Sequence, residues 1–216
     1  MNYLQQPLSE IDAFINVMHS VMNLYLTHGT RSNKNVDFFH HFIKSELEKI
    51  FTGDTYAVRL EVGVPSMNSV GRKKCDIVVL KDEQPHIIFP VKIIKSNYKQ
   101  NKNNGWENLT GELMHIHWSN PHIAIIPINI FMDKTPYLSA SGIITKFEDV
   151  TYSDISNYTI LKEKGIAYDI MNYILEVEHS SKLNERFDKL PTFRGFNSQT
   201  PFRSLREIVR PLLHVS

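Results

Sequence analysis

At 216 residues, with 42% apolar, 22% charged and 11% aromatic side chains, the chain has the length and composition of one domain with its own core. A formal net charge of +1 argues neither for nor against a nucleic-acid partner. No apolar stretch reaches the length of a membrane span, and residues 1 to 20 lack the basic start and small-residue cleavage site of a signal peptide. Cys75 is the only cysteine, which excludes a disulfide framework and a cysteine zinc site and fits a reducing, cytoplasmic setting.

In chain order, Ser9 caps a predicted helix over 9–28, with Ile11, Ile15, Met18, Met22 and Tyr25 at three- and four-residue spacing and a stop near His28-Gly29. Thr30 to Asn35 reads as a polar loop. A second helix spans about Val36 to Ile50, with Phe39, Phe42, Ile43, Leu47 and Ile50 inward, and His40-His41 on its surface. Tyr56 to Val64 alternates like a strand whose polar face carries Glu61. Two β-rich runs follow, Asp76 to Leu80 and His86 to Lys92, joined by the turn-forming Leu80-Lys81-Asp82-Glu83-Gln84-Pro85. The polar stretch Ile93 to Asn104 reads as a loop before a helix from about Trp106 to Trp118.

Ile123 to Phe131 is a near-continuous apolar run, read as a strand buried on both faces, with Pro127 marking a bulge or an edge. Met132 to Ser141 reads as a loop, Gly142 to Phe147 as a strand, and Ile155 to Leu161 and Ile166 to Val177 as helices. Ser180 to Pro201 is a polar, basic tail, closed by a short helix over Phe202 to Leu213. This order of elements predicts an α/β fold, a mixed central β-sheet flanked by helices. One domain spans 1–216: its core covers about 36–150, and the helix 9–28 and the helical, basic region 151–216 are appended.

Charge is unevenly distributed. Residues 65 to 103 hold eight Lys and Arg against three Asp and Glu, and residues 182 to 210 hold seven against three. Two basic islands on an otherwise acidic chain suit one phosphate-facing surface, or else two solvated faces. The candidate DNA contacts are Arg72, Lys73 and Lys74 before the Asp76 strand, and Lys95, Asn97, Tyr98, Lys99, Lys102 and Asn104 after Lys92. Arg194, Arg203 and Arg206 come from the second island. His115, His117 and His122 near Trp118 are the other cluster, but two rings near a helix end diverge and no third zinc ligand is evident.

Asp76 opens one strand and Lys92 ends the next, 16 residues later. An acid and a lysine across one hairpin can meet at one sheet edge. Phosphodiester cleavage needs such a pair: carboxylate oxygens hold a divalent cation, and an ammonium offsets the charge developing on the phosphate. Taken singly, Asp76 can close a turn, Lys92 can be an edge lysine, and Glu107 can favour a helix N-terminus.

These residues, with the order of elements over about 36 to 131, resemble the PD-(D/E)xK nuclease superfamily, which includes many type II restriction endonucleases. Its signature is an acid opening one strand, then acid-any-lysine on the next. Asp76 matches the first acid and Lys92 the lysine. Cys75 stands where the signature often has proline, and Pro90 stands in place of the second acid. In some restriction enzymes of this superfamily that acid has moved to the following helix, which implies Glu107 or Glu112, 15 and 20 residues after Lys92. Glu61 on the preceding strand would be an additional carboxylate.

The resemblance implies a restriction-endonuclease-like core and a sequence-specific, metal-dependent endodeoxyribonuclease of a restriction-modification system. It would use Mg2+, for which Mn2+ can substitute, and act on double-stranded DNA as a homodimer, with no membrane partner. The metal ligands would be Asp76, Glu107 and Glu61. The helices predicted over 9–28 and 166–178 are the candidates for dimerisation. The alternative is a catalytically inactive nuclease fold that binds nucleic acid.

Overall fold

The computed structural model describes residues 9–29 and 32–214, so Thr30 and Arg31 of the predicted polar loop lie outside it. Helix α1 (Glu10–His28) starts at Ser9, whose Oγ accepts from the Asp12 N–H, and stops at Gly29, in the left-handed region at φ 80°. Its buried residues are Phe14, Met18, Val21, Met22 and Tyr25; Ile11 is exposed, so the inward face is rotated from the predicted one. Phe14 takes over because its ring meets Phe39, Phe42, Tyr173, Phe196 and Phe202. Helix α2 (Lys34–Glu48) buries Phe39, Ile43 and Leu47 as predicted, and also His40.

The strands β1 (Tyr56–Pro65), β2 (Arg72–Lys81) and β3 (Gln84–Phe89) form an antiparallel meander. Asp82 and Glu83 turn the predicted hairpin at φ 49° and 60°, the backbone of a two-residue primed turn. β4 (Val91–Ile93) then leads to helix α3 (Tyr98–Ser119), which begins eight residues before the predicted start. The asparagine-rich stretch is thus helical from Tyr98 rather than a loop. Two anchors explain this: Tyr98 is buried with its hydroxyl donating to Asp154 O, and the buried Glu148 carboxylate accepts the Lys99 N–H at 3.0 Å, satisfying a first-turn donor.

The predicted strand over 123–131 is split at Pro127 into β5 (Ala124–Ile125), the end strand of one sheet order, and β6 (Ile128–Met132), an internal strand of the other. Part of the loop predicted after it forms β7 (Lys134–Leu138), which pairs with β8 (Ile144–Asp149) as a separate ribbon. Short helical turns α4 (Tyr152–Ile155) and α5 (Ile160–Glu163) follow. The helix predicted over 166–177 is instead the strand β9 (Met171–Glu178). Met171, Tyr173, Leu175 and Val177 pack on one side of the sheet and Ile170 and Ile174 on the other, and the apolar residues of the two faces together also match a helical spacing, which hides the alternation. Because β9 lies between β6 and β10 (Thr192–Phe196), residues 171–178 form an internal strand, and 166–178 offers no helical dimer face. α6 (Leu205–Val209) and a 3-10 turn close the described chain.

The result is a mixed α/β architecture. One four-stranded sheet has the order β1-β2-β3-β5 and a second β10-β9-β6-β4. The parallel register Ile87–Ala124, Ile88–Ile125 resumes unchanged as Val91–Ile128, Lys92–Asn129 and Ile93–Ile130, so the two sheets are one surface interrupted at Pro90 and Pro127. One apolar cluster joins α1, α2 and α6 to one face, and a second joins α3, α4 and α5 to the other. No helix among the described residues is long and apolar enough to cross a membrane.

A partly buried ion pair ties the C-terminal segment to Asp169, just before β9. Arg203 reaches both oxygens of Asp169, at 2.6 and 3.3 Å, and Lys162 adds a third contact at 2.9 Å. Burial pushes the Asp169 carboxyl up, but Arg203, Lys162 and the Ile170 amide outweigh it and hold the group at about 2. A carboxyl depressed in the folded state stabilises above its unfolded pKa of about 4, and that contribution is lost as pH falls towards 2. Wild type is therefore expected to exceed Asp169→Asn by about 2 kcal/mol in urea unfolding at pH 6, with the gap closing between about pH 4 and pH 2. A gap constant across that range would refute the assignment.

Candidate active site

The sheet is interrupted along a single transverse row. Glu61 falls opposite Asp76, between the pairs Leu60–Ile77 and Val62–Cys75. The β2–β3 ladder ends at Ile77–Phe89, which places Asp76 beside Pro90. Pro90 in turn lies level with Pro127 in the parallel register. Neither proline has an N–H to donate, so the ladder loses two bonds at one level. Their carbonyls remain in use, Pro90 O accepting from Ile128 N and Pro127 O from Met171 N.

At the same row the β1–β2 ribbon turns over. Val58, Leu60, Ile77 and Val79 pack towards α1 and α2, whereas Val62, Val64 and Cys75 pack towards α3. Glu61, at φ 56°, is the residue where β1 changes face. A left-handed backbone at a non-glycine residue costs about 1 kcal/mol or more and is held here by the packing on either side. Past the row the ribbon fastens onto α3: Met67 N donates to His115 O at 3.0 Å, Asn120 Nδ2 to Pro65 O at 2.7 Å, and Lys73 pairs with Glu112 at 3.3 Å. β2 and β4 therefore diverge, with Asp76 at their fork.

The Asp76 carboxylate occupies that fork. Its Oδ2 accepts the Val91 N–H at 2.8 Å, standing in for the strand partner that Pro90 cannot supply. Oδ1 has no hydrogen-bond partner among the described residues. Lys92, the next residue along β4, is half-buried and has no ion-pair partner among the described residues. It shares the α3 side of the sheet with Pro90, since Phe89, Val91 and Ile93 between them pack towards α1 and α2. Glu61 is exposed and bound to Lys74 at 2.7 Å, a contact that holds its carboxyl below the ordinary value.

The two helix acids have different surroundings. Glu112 is mostly buried against Lys73, on the ribbon wall of the fork. Glu107 is exposed, and five residues of α-helix turn it about 140° away from Glu112. Of the two stand-ins for the missing acid, Glu112 is the one that the fold brings to β2. Cys75 beside it is buried, and burial pushes its thiol up to about 12, which rules out a thiolate nucleophile at neutral pH.

His40 was not legible as part of this site. It is buried rather than on the surface of α2, and its Nε2 has no hydrogen-bond partner among the described residues. Burial pushes the imidazole below its ordinary value, while the nearby carboxylates of Asp76, Asp37 and Glu61 act in the opposite sense. Its spacing from Ile43 and Leu47, three and seven residues on, was the available signal.

Most of the predicted phosphate contacts already have partners inside the protein. Arg72 donates to Gly63 O, Lys74 and Lys73 hold Glu61 and Glu112, Lys102 pairs with Asp154, Arg194 with Glu178 and Arg203 with Asp169. Lys95 is half-buried against Asn35 Oδ1 at 2.7 Å and lies over the Tyr25 ring; desolvation pushes its ammonium down to about 8. Asn97 bonds both the N–H and the carbonyl of Leu138. Tyr98 is in the core, so its ring is closed to base stacking. Lys99, Asn104 and Arg206 are exposed.

Among the described residues, no three His, Cys, Asp or Glu side chains are grouped to hold a metal ion. The register sets two carboxylates opposite each other, Asp76 and Glu61, the latter paired with Lys74. No protein-family model, curated protein or solved structure matches the chain.

Proposed function

We propose that this chain is a metal-dependent endodeoxyribonuclease that cleaves double-stranded DNA at specific sites, with a core of the PD-(D/E)xK, restriction-endonuclease type. The observation that carries the reading is the fork itself. Asp76 sits where β2 and β4 part, Glu61 lies opposite in register, and β4 carries Lys92, which has no counter-ion among the described residues. The succession α2, β1, the β2–β3 hairpin, α3 and β5–β6 follows the order that the resemblance implies.

Bound magnesium, or manganese in its place, would polarise the scissile phosphate and lower the pKa of an attacking water. Asp76 Oδ1 and Glu61 hold that ion, and Lys92 donates to the phosphate oxygens as negative charge develops. The exposed N-terminal half of α3, with Lys99 and Asn104, meets the DNA backbone. A second copy of the chain would match the symmetry of a palindromic site, and with 171–178 an internal strand rather than a helix, the outer surface of α1 is the remaining candidate for that contact.

Lys92→Ala is expected to lower cleavage about a hundredfold while duplex affinity stays near wild type. Equal loss of binding and cleavage would make Lys92 a mere backbone contact. Pro90 favours a second reading, a binding fold without catalysis, because it removes the acid nearest Lys92. Salt-sensitive duplex binding with no cleavage under any metal is the result that selects it.

A further inference from the structure

Lys92, Asn129 and Asn172 form one row across three parallel strands, Lys92 level with Asn129 and Asn129 with Asn172. Their neighbours Val91, Ile93, Ile128, Ile130, Met171 and Tyr173 all pack towards α1 and α2, so the three polar residues share the α3 side. Asn129 is completely buried in an otherwise apolar strand. Its Nδ2 donates to Asn172 Oδ1 at 2.9 Å, which orients the amide along the row. Its Oδ1 is buried with no hydrogen-bond partner among the described residues.

An amide oxygen removed from water and left unpaired is costly, so a donor is expected for it. The Asn172 side of the row is taken. On the other side stands Lys92, with three donors and no ion pair among the described residues. We propose that Asn129 is a positioning residue for Lys92, its Oδ1 fixing where the ammonium sits, directly or through one water. This role rests on the assignment of Lys92 to the scissile phosphate. An ammonium on a flexible four-carbon stem contributes most when it is already ordered before the phosphate arrives. The Asn129–Asn172 bond would make that order a property of the sheet rather than of the substrate.

The test uses the full chain and two readouts, steady-state cleavage of duplex DNA and the side-chain order of Lys92 from NMR relaxation at its Cε. Asn129→Leu is expected to loosen Lys92 and to lower kcat by about tenfold to a hundredfold with KM unchanged. Asn129→Asp, which keeps an acceptor, restores most of both. Asn172→Leu breaks the amide pair but leaves Oδ1 in place and is expected to cost less than a third of the kcat loss. An unchanged Lys92 order parameter in Asn129→Leu would overturn the proposal. So would equal kcat losses in the Asn129 and Asn172 variants, which would mark a packing defect. If the wild type cleaves no DNA, the nuclease reading fails, and the NMR comparison alone decides whether Asn129 orders Lys92.

Discussion

Asp76→Asn is expected to reduce metal-dependent cleavage about a thousandfold, the scale of losing several kcal/mol of charge stabilisation at the phosphate. The substitution keeps the size of the side chain, and Asn Oδ1 can still accept the Val91 N–H that Asp76 Oδ2 accepts now. Thermal stability should therefore stay close to wild type, and duplex binding should survive. That separation is informative because Asp76 has a structural task of its own, closing the gap left by Pro90. If cleavage and melting temperature fall together, the carboxylate is chiefly a brace for the fork. If cleavage alone falls, it is a ligand as well.

The second large effect is on stability. Phe14→Ala should cost roughly 3 to 5 kcal/mol, read as a lower urea midpoint with little change in slope. The ring is nearly fully buried and meets five other aromatic rings drawn from α2, β9, β10 and the segment before α6. No single partner can collapse into the space it leaves. Against a typical total of about 5 to 15 kcal/mol, such a loss approaches the limit of a folded domain. Ile11→Ala, on the outward face of the same helix, should cost under about 0.5 kcal/mol. The opposite ranking would mean that α1 docks by the face its sequence pattern first indicated.

The parts of the fold that were legible are those in which local pattern and tertiary role agree. Tyr56 to Val64 reads as a strand from its alternation, although its apolar residues change sides of the sheet at Glu61, and the hairpin turn is short and charged. Residues 166–177 misled because Ile166, Ile170, Tyr173, Ile174 and Val177 fall at helical spacing while Met171, Tyr173, Leu175 and Val177 also alternate as in a strand, and flanking Gly165 was compatible with either. The early start of α3 depends on Glu148, some fifty residues on, whose carboxylate no local window contains.

The candidate site was legible in its residues but not in its geometry. Asp76 and Lys92 could be named from their spacing across one hairpin. Pro90 read only as a missing acid, because its second meaning lies in the parallel register that sets it level with Pro127. That register turns one substitution into a fork in the sheet. The basic islands were visible as charge, yet their ion pairs were not, and pairing removes much of the field they seemed to project. Asn129 was in plain view as the one polar residue between Ile123 and Phe131 other than Pro127's break, and only the strand pairing gives it a neighbour.

The central claim, that this fork hydrolyses DNA, is tested most directly by incubating the purified protein with long duplex DNA in magnesium, in manganese and in EDTA. Discrete fragments with either metal and none in EDTA are the predicted result. Intact DNA under every condition, at protein concentrations where the duplex is bound, would contradict it and make Pro90 the mark of a fold that binds without cutting.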